Sequence, residues 1–344
     1  MSQTQGEDRP TVLISAAVVA SEAEALLEEA GLNFVYTEAY PSQEALLEAA
    51  ARLRPVAIMH RQGFISGAVM DAAGPQLHIV SRHGAGFDGI DVAAAEERGV
   101  TVARAAGANS RQVAEHTMAM ILSLLKDLPS LTRAMREGAW EKNARATRDV
   151  AGTAIGIVGY GAIGTKVARL ADAFGMRVLV YDPLLPSGSL SGPGERVEEL
   201  GVLLERSQLL TLHCPLEETT RGMIGAAELA RLPKDAILVC TARGGIVDEA
   251  ALLAALDAGH IAWAGLDVFN KEPLEAGSGL RTHPRVLATP HLAATTPRGA
   301  VSMATAAASN IIDVLAGRLP SLEGALVVTG WALQGAQKSI EGGR

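Results

Sequence analysis

The sequence predicts an α/β protein with two doubly wound parallel-sheet domains. Short runs of β-branched residues alternate with Ala-, Leu- and Glu-rich helical stretches, first from Thr11 to Val102 and again from Ala154 onward. Strands that alternate with helices in this way form parallel sheets covered by helices on both faces. The chain of 344 residues also has the length of about two domains.

The first alternation consists of short segments near the start of the chain. In order they are TVLIS, EAEALLEEA, FVYT, SQEALLEAAARL, VAIMH, LHIVS and VTVA. After Gly107, either Asn109 or Ser110 is expected to cap a long apolar helix through AEHTMAMILSLLKDL. This helix would lead the chain from one domain to the next.

The second alternation is more regular, and its strands are continuous apolar runs typical of buried parallel strands. In order its segments are AIGIVG, AIGTKVARLADAFG, RVLVYD, RVEELGVLLERS, QLLTLHCP, AILVCTARG, DEAALLAALDAG and WAGLDVF. Asp248 is expected to cap the helix EAALLAALDAG. The Pro-, Gly- and Ser-rich segments PLLPSGSLSGPGE and EPLEAGSGLRTHP are expected to be surface loops.

A last helix, TPRGAVSMATAAASNIIDVLAGRLP, is expected to begin at Pro297 and to end before Gly317. If this helix packs back on the first alternation, that domain is discontinuous. The prediction is therefore a substrate domain of residues 1–107 and 299–344, flavodoxin-like in its winding, and a cofactor domain of residues 108–298. Little sequence follows the helix, so no added regulatory domain is expected.

Composition and charge exclude several classes of protein. The hydrophobic share of 48% and the charged share of 20% are ordinary for a globular chain. A net charge of -8 without a Lys- or Arg-rich run argues against nucleic acid as a partner. Cys214 and Cys240 form no C-x-x-C pair, so neither a disulfide framework nor a metal site is expected. The polar, acidic N-terminus and the shortness of the apolar stretch Met118 to Leu125 predict a cytoplasmic protein without a membrane span.

A glycine-rich turn is the sharpest local motif. Gly159-Tyr160-Gly161-Ala162-Ile163-Gly164 follows the strand AIGIV directly and opens the next helix. In such a turn the first glycine makes the bend, the second lets the backbone approach a pyrophosphate, and the third lets helix and strand pack closely. Helix N-terminal N–H groups bind phosphate. The motif therefore predicts a Rossmann domain that binds a dinucleotide.

Asp182 ends the following strand, RVLVYD, at about the spacing of 20 residues that this motif requires. Its carboxylate would accept hydrogen bonds from the ribose hydroxyls and would repel a 2′-phosphate, and Pro183, Leu184 and Leu185 supply no cation. The sequence thus favours NAD over NADP. The alternative is that Asp182 is only a turn residue before proline.

Three segments place polar groups at the carboxyl ends of predicted strands, where open parallel sheets bind ligands. They are CTARGGIVDE with Arg243, GLDVFNKEP with Asp267 and Glu272, and ATPHLA with His291. A guanidinium can bind a carboxylate at two points and polarise a carbonyl. A histidine steadied by a carboxylate can move the proton that accompanies hydride transfer. Taken singly, each of these side chains could be a surface or structural residue.

These segments, together with SRHGAGFDGID, NSRQVAEHT and LHCPLEETT, resemble the D-isomer-specific 2-hydroxyacid dehydrogenase family over nearly the whole chain. The family includes phosphoglycerate dehydrogenase and the glyoxylate/hydroxypyruvate reductases. The resemblance implies an NAD-dependent oxidoreductase acting on carbon 2 of a small 2-hydroxy or 2-keto acid. It also implies that Arg243 binds substrate, His291 is the acid/base and Glu272 supports His291.

The resemblance implies further contacts. It places the backbone N–H groups of Gly84, Ala85 and Gly86 on the substrate carboxylate, with Arg82 as a candidate substrate contact. The implied cofactor contacts are Thr241, Ala242 and Asp267 along the nicotinamide side and Ala162, Ile163 and Asp182 at the other end. His213, Cys214 and Pro215 resemble the turn that lines the cofactor in the family. Family members of this layout usually pair through the cofactor domain, so the resemblance also implies a homodimer.

Two departures and two alternatives remain open at this stage. Cys240 and Gly89 each stand where the family commonly has asparagine, which puts loop geometry and substrate preference in question. Glu115 and His116 are interpreted as packing or hinge residues of the connecting helix. The same fold also serves NAD-sensing corepressors, and a methyltransferase with a glycine-rich turn is the remotest alternative because it leaves Arg243 and His291 unexplained. The sequence does not select one 2-hydroxy acid.

Overall fold

The computed structural model describes residues 9–140, 142, 147–186, 190–330 and 333. The chain divides into two compact units, one formed by Met1–Asn109 with Thr296–Arg344 and the other by Ser110–Thr295. The outermost parts of the predicted substrate domain, residues 1–8 and 334–344, lie outside the described residues. The assignment of substrate to the first unit stays a prediction.

The strands and helices alternate along the chain. The strands are β1 (Thr11–Ser15), β2 (Asn33–Tyr36), β3 (Ala57–His60), β4 (Ile79–Arg82), β5 (Thr101–Arg104), β6 (Ala154–Val158), β7 (Arg177–Tyr181), β8 (Glu195–Arg196), β9 (Leu209–Leu212), β10 (Ala236–Cys240), β11 (Ile261–Leu266), β12 (Val286–Ala288) and β13 (Leu326–Val328). The helices are α1 (Ser21–Glu29), α2 (Gln43–Leu53), α3 (Gly67–Ala73), α4 (Val92–Glu97), α5 (Ser110–Leu125), α6 (Leu128–Arg136), α7 (Gly164–Ala173), α8 (Leu200–Arg206), α9 (Ala226–Arg231), α10 (Glu249–Asp257), α11 (Gly279–Thr282) and α12 (Pro297–Leu315).

The sheet of the first unit has the order β13-β5-β4-β3-β1-β2. Strands β1 to β5 pair in parallel, and β13 runs antiparallel to β5. The parallel part has the flavodoxin-like order 2-1-3-4-5. One face of this sheet is covered by α12, whose Ala304, Ala307 and Ile311 are fully buried beside Val12 and Ile14 of β1. The predicted return of the last helix to the first alternation is therefore confirmed.

The ends of α12 follow from local chemistry. The Thr296 hydroxyl accepts a hydrogen bond from the Gly299 N–H, and Pro297 occupies the first turn. Gly317 follows the helix in the left-handed region at φ 71, a conformation that glycine adopts without steric cost. The predicted start and stop signals of this helix are confirmed.

The sheet of the second unit has the order β12-β11-β10-β9-β6-β7-β8, with every pair parallel. This is the Rossmann order, in which winding reverses between β6 and β9, and ligands bind at the carboxyl ends of strands at such a reversal. Apolar clusters cover both faces of the sheet. The predicted α/β class with two doubly wound domains is confirmed. Within the described part of the chain, no helix has the length and apolar character to cross a membrane.

Candidate active site

Gly159 and Gly161 lie between β6 and α7, Gly164 begins α7, and the three motif glycines have different steric surroundings. Gly159 lies at φ 89, and a Cβ there would stand 2.7 Å from the backbone N of Cys214. A Cβ on Gly164 would lie 2.0 Å from the Gly159 carbonyl oxygen, so only glycine lets α7 begin this close to the strand. A Cβ on Gly161 would meet nothing within 4 Å among the described residues, which leaves room for a phosphate to approach the backbone.

Asp182, at the end of β7, is joined to the glycine turn. Its Oδ2 accepts a hydrogen bond of 2.7 Å from the Tyr160 N–H, and its Oδ1 accepts one of 2.9 Å from the Leu184 N–H. Each carboxylate oxygen keeps acceptor capacity for a ribose hydroxyl. The glycine turn, the N-terminus of a ten-residue helix and this carboxylate together fit the phosphates and the ribose of NAD.

His213, Cys214 and Pro215 follow β9, beside the glycine turn. The His213 Nε2 lies 3.0 Å from the Thr211 hydroxyl, and its buried Nδ1 has no partner among the described residues. Burial lowers the pKa of His213 to about 3. Burial raises the pKa of the Cys214 thiol to about 12, with the nearby Cys240 thiol contributing. Both side chains are therefore uncharged at neutral pH, so His213 and Cys214 add no charge beside the glycine turn.

His291 and Glu272 form a directly hydrogen-bonded pair in the second unit. The His291 Nδ1 lies 2.7 Å from Glu272 Oε2, and the two side chains are 48% and 36% exposed. Burial acts to raise the pKa of Glu272, but the hydrogen bond and charge of His291, the Phe269 N–H and the charge of Arg243 together bring it below its ordinary value. An ionised carboxylate only accepts hydrogen bonds, so Nδ1 carries the hydrogen and Nε2 is left to exchange a proton with a ligand.

Arg243 follows β10 and lies in the same electrostatic environment. Its Nη1 donates a hydrogen bond of 2.7 Å to the Ala242 carbonyl, and its charge contributes to the lowered pKa of Glu272. A Cβ on Gly244 would lie 2.0 Å from the Phe269 carbonyl oxygen. This distance shows that the Arg243 loop packs closely on the loop that carries Glu272. The first glycine of ARGG, Gly244, is therefore needed because any side chain at this position would clash.

Asp267, directly after β11, is buried among hydrogen-bond donors. The residue is 0% exposed, and its carboxylate accepts hydrogen bonds from the Thr289 hydroxyl at 2.6 Å, the Leu292 N–H at 3.0 Å and the Ala293 N–H at 2.9 Å. These groups belong to the loop that presents His291. Asp267 thus braces that loop, and its predicted contact with the cofactor stays a prediction.

Thr241 and Ala242 are both buried at the end of β10. The Thr241 and Thr117 hydroxyls lie 2.8 Å apart, and the Thr117 hydroxyl donates to the Val113 carbonyl. Since a hydroxyl has one hydrogen, Thr241 is the donor in this pair. Its hydroxyl hydrogen is engaged by α5, so toward a cofactor this hydroxyl could act only as an acceptor. At the glycine turn, Ala162 is exposed and Ile163 half-buried, as suits residues facing a ligand.

Sequence reasoning missed Thr289, and it assigned His116 only a packing or hinge role. The His116 Nε2 lies 3.2 Å from the Thr289 hydroxyl and 3.7 Å from Asp267 Oδ1. Thr289 stands two residues before His291 in ATPHLA, and that proximity was the available signal. Nothing in the sequence of α5 distinguishes the face that carries His116 from the rest of the helix.

The glycine loop of the first unit is held by arginines. Arg82 Nε donates to the Gly86 carbonyl at 2.8 Å, and Arg104 Nη1 donates to the Ala85 carbonyl at 3.4 Å. Gly84 lies at φ 145, in the region that favours glycine. Among the described residues, the N–H groups of Ala85 and Gly86 make no hydrogen bond, which suits the anion-binding role predicted for this loop.

The two departures from the family pattern have structural explanations. His60 is 1% exposed, its Nε2 lies 2.9 Å from the Gly63 carbonyl, and a Cβ on Gly89 would stand 2.5 Å from its Cε1. Glycine at position 89 therefore accommodates the imidazole of His60. The Cys240 thiol contacts the Arg243 carbonyl at 3.7 Å, so it supports the arginine loop. Within the described residues, no group of three or more His, Cys, Asp or Glu side chains could hold a metal ion.

Comparisons with known proteins identify the family of this chain. Residues 118–293 match the sequence model of the D-isomer specific 2-hydroxyacid dehydrogenase, NAD binding domain. The chain therefore belongs to the D-isomer specific 2-hydroxyacid dehydrogenase family, and its second unit contains the NAD-binding domain of that family.

Three relatives illustrate the similarity. A D-3-phosphoglycerate dehydrogenase of Bacillus subtilis is 39% identical over 248 residues, which are 70% of this chain and 46% of the relative. A hydroxypyruvate reductase of Thermotoga maritima is 40% identical over 226 residues, 65% of this chain and 73% of that protein. The crystal structure of a glyoxylate reductase from Paecilomyes thermophila superposes with a TM-score of 0.81 at 27% identity, covering 93% of this chain and 98% of that one. This chain spans about half the length of the phosphoglycerate dehydrogenases that it matches.

Proposed function

We propose that this protein is an NAD-dependent oxidoreductase that interconverts small D-2-hydroxy acids and 2-keto acids of the phosphoglycerate, hydroxypyruvate or glyoxylate class. The observation that carries the proposal is the His291–Glu272 pair, 2.7 Å apart, close to the charge of Arg243 in the NAD-binding unit. Bound NAD supplies or takes up the hydride at carbon 2. Gly159, Gly161, Gly164 and Asp182 would hold it, and the absence of a cation from the three residues after Asp182 favours NAD over NADP.

His291 moves the proton at the substrate oxygen. Glu272 accepts from Nδ1, which fixes the tautomer and leaves Nε2 as the atom that gives a proton during reduction and takes one during oxidation. The Glu272 carboxylate also stabilises the imidazolium form. Because the pKa of Glu272 lies below its ordinary value, this support is present throughout the neutral range.

Arg243 recognises the acid. A guanidinium binds a carboxylate through two parallel hydrogen bonds and polarises an adjacent carbonyl oxygen. Its Nη1 is already bonded to the Ala242 carbonyl, which limits the rotation of the group before a substrate arrives. In the first unit, the N–H groups of Ala85 and Gly86 are proposed to bind a substrate carboxylate, with Arg82 keeping the loop in shape.

The experiment replaces His291 with glutamine. General acid–base catalysis contributes about 10²- to 10⁴-fold, so His291→Gln should lower turnover about 1,000-fold while the affinity for NADH stays within about two-fold. NADH oxidation is followed with glyoxylate, hydroxypyruvate, pyruvate and phosphohydroxypyruvate, and NADH affinity by fluorescence quenching. His78→Gln, a change at a half-buried histidine of the first unit, is the matched control.

Two results would contradict the proposal. One is unchanged turnover in His291→Gln. The other is a wild-type protein that binds NADH but oxidises it with no member of the panel, which would favour the NAD-sensing alternative.

We further propose that the protein forms a homodimer through its second unit and acts in the cytoplasm. Leu128 and Met135 of α6, together with Trp140 just after it, are 51%, 54% and 78% exposed, and exposed apolar side chains that cluster on one element are typical of interfaces. The two free thiols suit a reducing compartment. Sedimentation of the purified chain distinguishes a dimer from a monomer.

A further inference from the structure

We infer that His116, on helix α5, is a positioning residue for His291 that acts through Thr289 and Asp267. The inference rests on the proposed function, since it assigns His116 a part in presenting the proposed acid/base. All four residues belong to the second unit, and the contacts that join them are direct.

The direction of the hydrogen bonds follows from the chemistry of the groups. The Thr289 hydroxyl lies 2.6 Å from Asp267 Oδ1, and because a carboxylate only accepts, the hydroxyl donates its single hydrogen there. Toward His116 Nε2, 3.2 Å away, the same hydroxyl oxygen must therefore accept. His116 Nε2 thus carries a hydrogen and donates it to the Thr289 hydroxyl oxygen. That hydroxyl in turn donates its own hydrogen to the Asp267 carboxylate.

The loop that this network holds is strained at His291. His291 lies at φ 50, in the left-handed region that costs a residue with a side chain free energy, and such a conformation persists only where its surroundings hold it. The His291 N–H donates to the Asp267 carbonyl at 2.8 Å, and the Asp267 carboxylate accepts the N–H groups of the two following residues. Hydrogen bonds between Asp267 and residues before and after His291, Thr289 among them, therefore fix the loop on both sides of His291.

His116 is the residue of α5 that contacts Thr289 and Asp267. Its side chain is 20% exposed, and its Nε2 faces both Thr289 Oγ1 and Asp267 Oδ1. The preceding residue, Glu115, is 53% exposed and accepts a hydrogen bond of 2.8 Å from Arg111 Nε on the outer face of the same helix. The structure thus separates two adjacent residues that the sequence treats alike, and Glu115 is a matched control for His116.

The experiment compares His116→Ala, His116→Gln and Glu115→Gln by steady-state kinetics. Misplacement of a reacting group by about 1 Å costs about 100-fold in rate, so His116→Ala should lower kcat about 10- to 100-fold with KM and NADH affinity within about two-fold. Glutamine can donate a hydrogen bond from a similar reach, so His116→Gln should recover most of kcat. Glu115→Gln should match the wild type. Equal kcat in His116→Ala and the wild type would overturn the inference.

A double-mutant cycle with Thr289→Val tests whether His116 acts through Thr289. Residues of one network are not additive, so His116→Ala combined with Thr289→Val should be no slower than the worse single variant. Additive losses would contradict a shared network.

A readout without turnover separates this inference from the proposed function. The Cε1–H proton resonance of His291, identified by its absence in His291→Gln, should shift in His116→Ala and return in His116→Gln. An unchanged resonance would overturn the positioning role. A shifted resonance in a protein that oxidises no NADH would leave the network standing and remove the proposed function.

Discussion

The glycine loop of the first unit and the histidine loop of the second unit are held in opposite ways. Cationic side chains, Arg82 and Arg104, hold the loop at residues 84–86 by its carbonyl oxygens. An anionic side chain, Asp267, holds the loop at residues 289–293 by its N–H groups. The first arrangement leaves backbone donors available, whereas the second uses the backbone and presents the side chain of His291.

This difference shows how one fold class builds two kinds of polar site at strand ends. Guanidinium groups on loop carbonyls add positive charge beside N–H groups that suit an anion. A buried carboxylate on loop N–H groups instead fixes the backbone so that an imidazole, 48% exposed, meets the ligand in one orientation. Three changes test this difference between the loops: loss of the Asp267 carboxylate, a side chain at position 89, and acid.

The largest effect is expected from Asp267→Ala. The substitution leaves the Thr289 hydroxyl and the N–H groups of Leu292 and Ala293 without their buried acceptor, and each such loss costs about 1 to 3 kcal/mol. The free energy of unfolding should fall by about 3 kcal/mol or more, and turnover should be lost. Urea denaturation followed by tryptophan fluorescence measures the change.

Asp257→Ala is the control for this substitution, because the Asp257 side chain is 75% exposed and its Oδ1 lies 3.3 Å from His283 Nε2. It should change the free energy of unfolding by less than about 1 kcal/mol. If Asp267→Ala were as stable as this control, the brace on the histidine loop would be unimportant.

A smaller effect is expected when Gly89 is replaced by asparagine, the residue common in the family. The new Cβ would stand 2.5 Å from Cε1 of His60, a buried ring held by the Gly63 carbonyl and close to Arg82. Overpacking of this kind costs about 1 to 3 kcal/mol in the free energy of unfolding. Thermal and urea denaturation measure it, with Gly277→Asn, where nothing lies within 4 Å of a new Cβ, as control.

The double variant His60→Ala with Gly89→Asn tests the cause of that loss. It should be more stable than the sum of the two single changes predicts, because the asparagine would occupy space vacated by the imidazole. Strictly additive losses would show that the two positions do not compete for space.

The smallest effect is the share of one buried histidine in the pH dependence of the unfolding free energy between pH 6.0 and 5.0. Burial, followed by the charge of Arg82, lowers the pKa of His60 to about 3, and burial, followed by the charge of Arg61, lowers that of His83 to about 4. Below pH 6.5 these two histidines bind protons in the unfolded chain but stay neutral in the folded protein. The free energy of unfolding therefore falls as the pH drops from 6.5 toward 4. Each ring contributes at most about 1.4 kcal/mol per pH unit.

Urea denaturation at pH 6.0 and 5.0 tests this dependence. His60→Gln should reduce the slope of unfolding free energy against pH by one histidine's share. A slope identical in the wild type and His60→Gln would contradict the neutral, buried state of His60.

Much of the fold follows from local signals in the sequence. Both sheets, the return of α12 and the cap of α10 are confirmed, the cap because the Asp248 carboxylate accepts from the N–H groups of Ala250 and Ala251. The proximity of Glu272 and His291 could be expected, since parallel strands bring their carboxyl ends to one edge.

Other features depend on packing that no local pattern encodes. The direction of the Asp267 carboxylate follows from a tight loop after β12, and the role of His116 follows from which face of α5 meets that loop. The complementarity of His60 and Gly89 joins two segments whose sequences carry no mutual signal. Side-chain direction at a strand end is set by the neighbouring element, so sequence reasoning identified the edge of the sheet but not the network behind it.

The two backbone hydrogen bonds accepted by Asp182 have a consequence for attempts to exchange the cofactor. Oδ2 accepts from the Tyr160 N–H and Oδ1 from the Leu184 N–H. The carboxylate therefore stabilises the glycine turn as well as being a candidate partner for ribose. Replacing it by a small neutral residue to admit a phosphorylated coenzyme would also loosen the turn. A redesign toward NADP would therefore have to retain an acceptor at position 182 and introduce its arginine on the loop that follows.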